Sequence, residues 1–221
     1  DGVTLREGLR VTELQHVADR WRVISEDGGN FPADLVIDSS GRGSRLPQWL
    51  AELGVGVPEP LMVDARLGYA CRAYRANGKP PIEIGVMIQA TPQTGRGALA
   101  LPVEDGHWLV VAVGYGDRRP TRDTGEFDQF LAALPDPAIA ELARQLKPVG
   151  DVAIHRQTGN RRHSYGSSQS WPAGLLAVGD AYCAFNPIFG QGITVAACQA
   201  LLIRHALKHD SSWAERGPLE T

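Results

Sequence analysis

Residues 174–200 read GLLAVGDAYCAFNPIFGQGITVAACQA. Leu175–Val178 is a short apolar strand that runs into Gly179-Asp180. A turn rich in small residues follows and contains Pro187, and Gly190-Gln191-Gly192 then opens an apolar helix. In an α/β sheet ligands gather at the carboxyl ends of strands, and a helix N-terminus offers unpaired N–H groups and about half a positive charge. A carboxylate followed by a glycine-opened helix suits a ligand that carries both hydroxyls and negative charge.

A second strand of the same kind lies earlier in the chain. Ala33–Asp38 is a continuous apolar run, as expected of a strand buried on both faces of a parallel sheet, and it ends in Ser39-Ser40-Gly41-Arg42-Gly43-Ser44-Arg45. Before it, the runs around Leu9–Leu14 and Trp21–Ile24 read as two antiparallel strands, with a turn at Asp27–Asn30. After it, Pro47 to Leu53 reads as a short helical turn.

From about Val57 to Gly116 the texture changes. Apolar runs at Ala65–Tyr74, Ile82–Gln89, Ala98–Val103 and Trp108–Gly114 are separated by Asn77-Gly78, Thr94-Gly95 and Asp105-Gly106. Such dipeptides between apolar runs are hairpin signals, so the spacing predicts an antiparallel sheet of about four strands. Thr124–Lys147 reads as two helices broken at Pro135 and Pro137. The expected class is therefore mixed α/β: residues 1–56 begin a Rossmann-like domain, 57–150 form an inserted antiparallel sheet, and 151–221 return to the first domain.

Composition bounds the function. The 221 residues are 43% hydrophobic and 21% charged, with a net charge of −3 and no long run of either sign, which argues against a nucleic-acid surface. Arg118-Arg119 and Arg161-Arg162-His163 read as solvated faces. Three cysteines (Cys71, Cys183 and Cys198) without C-x-x-C spacing argue against a disulfide framework or zinc site and suggest a reducing, cytoplasmic setting. No run of eighteen apolar residues suggests a membrane span. The sequence opens on Asp1-Gly2-Val3 without Met, so a longer parent product is expected.

Three constellations could carry chemistry. Asp180, at a strand exit after Gly179, can accept hydrogen bonds from ligand hydroxyls, worth about 1.5–3 kcal/mol each when charge-assisted; a capping Asp is the competing reading. Gly190, Gln191 and Gly192 let backbone N–H groups approach a ligand closely. Behind them Ile193, Ala196, Ala197, Ala200, Leu201 and Leu207 form a stripe expected to pack on a sheet. Ser40 and Gly41 could meet a phosphate or ribose, and read equally as a structural turn. His205 and His209 look like a basic helix end rather than metal ligands, and no metal site is expected. No G-x-S-x-G, P-loop or G-x-G-x-x-G occurs. No catalytic residue stands out. Tyr69, Arg72, Tyr74 and Gln89 are candidate pocket-lining residues of the middle sheet because polar side chains there interrupt apolar strands, although each is expected rather to face solvent.

Gly179-Asp180-Ala181, Pro187, Gly190-Gln191-Gly192 and Ala196-Ala197 strongly resemble the second flavin-binding motif of FAD-dependent aromatic hydroxylases. That p-hydroxybenzoate-hydroxylase-like group includes flavin halogenases and geranylgeranyl reductases. Asp34–Gly41 resembles the family's apolar strand plus Ala-Thr-Gly element, with Ser39-Ser40-Gly41 in its place. The inserted sheet matches the family's substrate domain by position and texture. The resemblance implies that Asp180 binds the ribityl chain of FAD, that the amides of Gly190, Gln191 and Gly192 lie near the flavin pyrimidine edge, and that Pro187 shapes the wall beside the ring. It further implies NAD(P)H as reductant and hydroxylation of an aromatic or polyketide-like small molecule. The sequence departs from the family at Tyr182-Cys183, where Ala-His is common, and at Ser40-Gly41, nearest the family's Asp-Gly motif. The family's N-terminal G-x-G-x-x-G unit has no counterpart here and is expected upstream of Asp1; the halogenase W-x-W-x-I-P signature is also absent. A flavin reductase that does not activate oxygen, or a non-catalytic binding protein, are the alternative readings.

Overall fold

The computed structural model describes residues 2–78, 82–168 and 170–209. The chain divides into two compact units, the first made of residues 1–63 and 160–221 and the second of residues 64–159. The first unit opens with a meander of β1 (Val11–Val17), β2 (Arg20–Ser25) and β3 (Asn30–Ala33). The β1–β2 turn places both Ala18 and Asp19 at positive φ, the backbone twist that a tight two-residue hairpin requires. Trp21 is buried and its indole N–H donates to the Ala173 carbonyl at 2.8 Å. The apolar run at 33–38 is not one strand: β3 ends at Ala33, and β4 (Val36–Asp38) begins a different sheet. Thus one stretch supplies the end of an antiparallel meander and the start of a parallel pair.

α1 (Leu46–Glu52) follows, with Leu46, Trp49 and Leu50 buried, and then β5 (Leu61–Val63). The second unit is a five-stranded antiparallel sheet in the order β10-β6-β9-β8-β7. Its strands are β6 (Leu67–Arg75), β7 (Val86–Ile88), β8 (Arg96–Pro102), β9 (His107–Tyr115) and β10 (Lys147–His155). Asp105 and Gly106 both take positive φ between β8 and β9. The 82–89 run contributes only Val86–Ile88, and residues 79–81, between Asn77-Gly78 and that run, lie outside the described residues.

The fifth strand moves the limits of this unit. β10 pairs with β6 from Lys147↔Arg75 to His155↔Tyr69, with an irregularity between Val149 and Ala153 where Gly150 takes a positive φ. The sheet therefore runs past residue 150. At the other border, β5 (61–63) pairs within the first unit, with β11. α2 (Thr124–Ala132) and α3 (Ala138–Gln145), separated at Pro135 and Pro137, pack on the sheet with Trp108, Val110, Phe127, Leu131 and Ile139 in a common core. Asp123 caps α2 by accepting the Glu126 N–H at 2.9 Å.

The chain returns to the first unit through β11 (Asn160–Arg162), β12 (Leu175–Ala177), β13 (Cys183–Ala184) and α4 (Gly192–His209). β13-β11-β5 forms one small sheet, and β12 pairs with β4 in parallel, Leu175↔Val36 to Ala177↔Asp38. α4 does not bury the expected stripe, since Ile193, Leu201 and Leu207 are exposed. Its packed side is Ala196, Gln199, Ile203 and Ala206, with Ile203 against Leu35, Leu176 and Val178. Gln199 is buried on that side, with its Oε1 accepting the Gly179 N–H at 2.7 Å, so its polar end is satisfied. No helix among the described residues is long and apolar enough to cross a membrane.

Candidate ligand site at two strand ends

The parallel pair brings two turns together, one after each strand. Asp38 ends β4 and is buried. Its Oδ1 accepts the Ser40 N–H at 2.9 Å and the Ser40 hydroxyl, and its Oδ2 accepts the Ser44 hydroxyl. A short carboxylate at a strand end can hold its own following turn in this way. Sequence reasoning missed this role; the signal was an Asp closing an apolar run with serines two and six residues on. Consequently the Ser40 hydroxyl is turned back onto the protein. Gly41, at φ 77°, leaves open space where a Cβ would stand, so its backbone is accessible. The edge of β4 and the start of this turn border a cavity of about 460 Å³, to which Ile37, Asp38, Ser39 and Ser40 contribute.

The second turn follows β12. Gly179–Ala181 is one turn of 3-10 helix, and Gly179 takes a positive φ. Asp180 keeps 36% of its side chain exposed, and its Oδ2 lies 3.3 Å from Nε of Arg42, a residue of the other turn. Arg42 also donates to the Phe185 carbonyl. Arg161 donates to the Arg42 carbonyl at 2.9 Å and reaches the Asp180 carbonyl at 3.5 Å. Arg42, together with Arg161, which reads in the sequence as part of a solvated face, thus binds the two turns together. Neither contact is visible in local sequence, because each joins residues far apart in the chain.

The glycine-opened helix stands beside Asp180. Pro187–Phe189 form a 3-10 turn whose start is capped by Asn186, its side-chain oxygen accepting the Ile188 N–H at 3.1 Å. Gly190 follows in the left-handed conformation at φ 63°, with open space around a would-be Cβ. Gly192 begins α4, and a Cβ there would stand 3.7 Å from Asp180 Oδ1. The first-turn amides of α4 have no intrahelical acceptor. Asp180, Gly190, Gln191 and Gly192 are therefore neighbours around one helix N-terminus, with Pro187 one turn before it and Ser40-Gly41 on the turn that Arg42 ties to Asp180. A half-exposed carboxylate next to free N–H groups can accept from hydroxyls while the amides meet negative charge on the same molecule.

Beneath the turns is an aromatic cluster. His163 is buried and stacked on Tyr165, with ring centroids 4.9 Å apart, and its backbone N–H donates to the Tyr182 carbonyl at 3.0 Å. Burial, reinforced by the Arg161 charge, pushes the His163 imidazole below its ordinary value. Burial, with the Asp38 carboxylate adding to it, raises the Tyr165 phenol. Burial also raises the Cys183 thiol; Arg162 opposes the shift and Asp180 adds to it.

In the second unit, two residues expected to face solvent do not. Tyr74 is buried, and Arg72 shares its face of β6, with the guanidinium 5.8 Å from the Tyr74 ring centroid. Tyr69 is half-buried near His155, while Gln89 is exposed.

Comparison with known proteins bears on the sequence and the fold. No family model matches the chain. Protein Rv3254 of Mycobacterium tuberculosis is 37% identical over 191 residues, covering 85% of this chain and 39% of that protein. The FAD-dependent monooxygenase penE of Penicillium thymicola is 25% identical over 225 residues, covering 92% and 45% respectively. The structure of the flavin-dependent halogenase CmlS superposes with a TM-score of 0.69 at 20% identity, over 96% of this chain and 38% of that one. The chain is thus similar in sequence and fold to FAD-dependent monooxygenases and halogenases of the p-hydroxybenzoate-hydroxylase-like superfamily, and it matches only part of their length. It spans about two fifths of the curated relatives.

Proposed function

We propose that this chain supplies the ribityl- and pyrimidine-facing part of an FAD site in a monooxygenase that hydroxylates an aromatic or polyketide-like small molecule. The observation that carries the reading is Asp180 standing beside the N-terminus of α4, with Gly192 close to its Oδ1. Asp180 accepts from ribityl hydroxyls. The amides of Gly190, Gln191 and Gly192 face the pyrimidine edge, where a helix N-terminus favours negative charge. Pro187 holds the wall beside the ring, and the open backbone at Gly41 borders the same ligand. The residues fit the group: two left-handed glycines, Gly41 and Gly190, leave space where any other residue would place a Cβ.

FAD, when bound, supplies the redox chemistry, with NAD(P)H as the source of electrons. The protein's part is binding, orientation and electrostatics. Arg42 pairs with Asp180 and aims its carboxylate, and Arg161 fixes the turn that carries Arg42. The antiparallel unit, residues 64–159, serves as the substrate domain, while residues 1–63 with 160–221 serve as the flavin domain. The relatives extend well beyond the matched region, so the ADP half of FAD draws on residues outside it.

The test uses the full-length protein. It should purify with a flavin absorption spectrum, or acquire one with added FAD, and oxidise NAD(P)H with matching oxygen uptake. A protein that stays colourless with FAD present is not a flavoprotein. NAD(P)H oxidation under FAD without oxygen uptake would instead support a reductase, as in the geranylgeranyl reductases that the sequence also resembles.

A further inference from the structure

The carboxylate of Asp180 pairs with Arg42, on the turn after β4, and so is tied to the other strand end. The hydrogen bond that ties its own turn to α4 is made by its neighbours in space, Gly179 and Gln199: the Gly179 N–H donates to Gln199 Oε1 at 2.7 Å. Gln199 lies seven positions beyond Gly192, about two helical turns from the N-terminus of α4. It is 7% exposed and sits on the packed side of the helix with Ala196, Ile203 and Ala206.

Two features give this bond leverage over Asp180. First, Asp180 directly follows Gly179 in a turn closed by its own backbone. The Ala181 N–H donates to the Val178 carbonyl at 3.3 Å, and the Tyr182 N–H to the Gly179 carbonyl at 3.0 Å. A displacement of Gly179 is therefore passed to the carboxylate. Second, the turn lies close against the helix. A Cβ at Gly179 would stand 3.7 Å from Ala196 Cβ, and one at Gly192 would stand 3.7 Å from Asp180 Oδ1. An apolar side chain at 199 would continue the row of Ala196, Ile203 and Ala206, but it would offer the Gly179 N–H no acceptor. A backbone donor needs an acceptor when it is taken out of water, and only the oxygen of the glutamine amide provides one.

We propose that Gln199 is a positioning residue for the candidate flavin site: it holds the Gly179-Asp180 turn against α4, so that the Asp180 carboxylate and the first-turn amides of the helix meet one ligand together. The proposal rests on the flavin reading of Asp180. Buried two turns from the helix end, Gln199 does not touch the ligand and acts through Asp180. Its effect on FAD therefore requires the carboxylate to be present. A glutamine that served the fold alone would weaken FAD by the same factor with or without that carboxylate, because contacts that do not couple add.

The test is a double-mutant cycle on FAD affinity in the full-length protein, read by flavin fluorescence, with the melting temperature of each ligand-free variant recorded alongside. Gln199→Met keeps the length of the side chain and removes the amide oxygen. It should weaken FAD about tenfold when Asp180 is present, and by less than about twofold in the Asp180→Ala background. The melting temperature should fall by a similar amount in both backgrounds, because the Gly179 N–H loses its acceptor in each. Gln199→Glu keeps an acceptor at the same reach and should hold FAD within about threefold of the wild type; it carries the test if Gln199→Met does not fold. Unchanged affinity in Gln199→Met, an equal loss with and without Asp180, or a loss in Gln199→Glu as large as that in Asp180→Ala would each overturn the proposal. Asp180→Ala binding FAD as tightly as the wild type would instead overturn the flavin reading of Asp180. If Asp180→Ala weakens FAD and the cycle is additive, the role of Gln199 falls and that reading stands.

Discussion

Asp38 and Asp180 occupy matching places in the first unit, each in the turn after one strand of a parallel pair, yet they differ in every other respect. Asp38 is buried and accepts from Ser40 and Ser44 of its own turn, so its hydrogen-bonding capacity is spent locally. Asp180 is more than a third exposed, meets one arginine from the other turn, and stands beside free helix amides. The difference separates a carboxylate that builds a turn from one placed to meet a ligand. Residue type and position relative to the strand do not distinguish them; the hydroxyls that follow do.

The largest test of that contrast is the stability cost of each removal. Asp38→Ala strands three donors, two of them hydroxyls, and should cost about 2–3 kcal/mol in urea unfolding. Asp180→Ala breaks a half-exposed ion pair and should cost no more than about 1 kcal/mol. Equal losses would erase the comparison.

Acid sensitivity comes next in size and locates strain beneath the turns. Burial holds His163 below its ordinary value, so the folded protein disfavours the protonated ring. The contribution to stability is complete above the unfolded value of about 6.5 and declines as pH falls below it, because the unfolded chain takes up the proton first. The urea midpoint should drop over that acid range, with a slope of at most about 1.4 kcal/mol per pH unit from this group. His163→Phe, which keeps a ring against Tyr165, should flatten the decline. An unchanged profile in that variant would remove His163 from the account.

The smallest effect reads the field of Asp180 directly. Asp180 contributes to the raised value of the Cys183 thiol, after burial and the opposing Arg162 charge. Asp180→Asn should therefore quicken alkylation of Cys183 near neutral pH by a modest factor, while exposed Cys198 keeps its rate. Mass spectrometry of iodoacetamide-treated protein separates the two sites. An unchanged rate at Cys183 would mean that the Asp180 charge is screened from its own turn.

Much of this arrangement is legible in local sequence. Asp105-Gly106 marks a hairpin because both residues must adopt positive φ, and they do. Pro135 and Pro137 separate α2 from α3 as ring sterics require. The strand exit at Gly179-Asp180 and the glycine-opened α4 stand where the apolar patterns end. What local patterns miss is long-range and polar. Gln199 lies on the packed face of α4 and is held there by a hydrogen bond from the Gly179 N–H, while residues of the apolar stripe are exposed. β10 joins the antiparallel sheet despite Gly150, since the irregularity absorbs the misfit. Arg42 and Asp180 are 138 positions apart in sequence, and only the parallel pairing of β4 with β12 brings their turns together. Tyr74 and Arg72 point to the helices because the register of β6 with β9 puts them beside Trp108 and Val110.

The most direct test of the central claim is FAD affinity in the full-length protein and in its Asp180→Ala variant, measured by titration of flavin fluorescence. Loss of charge-assisted bonds to ribityl hydroxyls should weaken FAD by about ten- to a hundredfold, with the folded state retained. Equal affinity in the two proteins would contradict the assignment of Asp180 to the flavin.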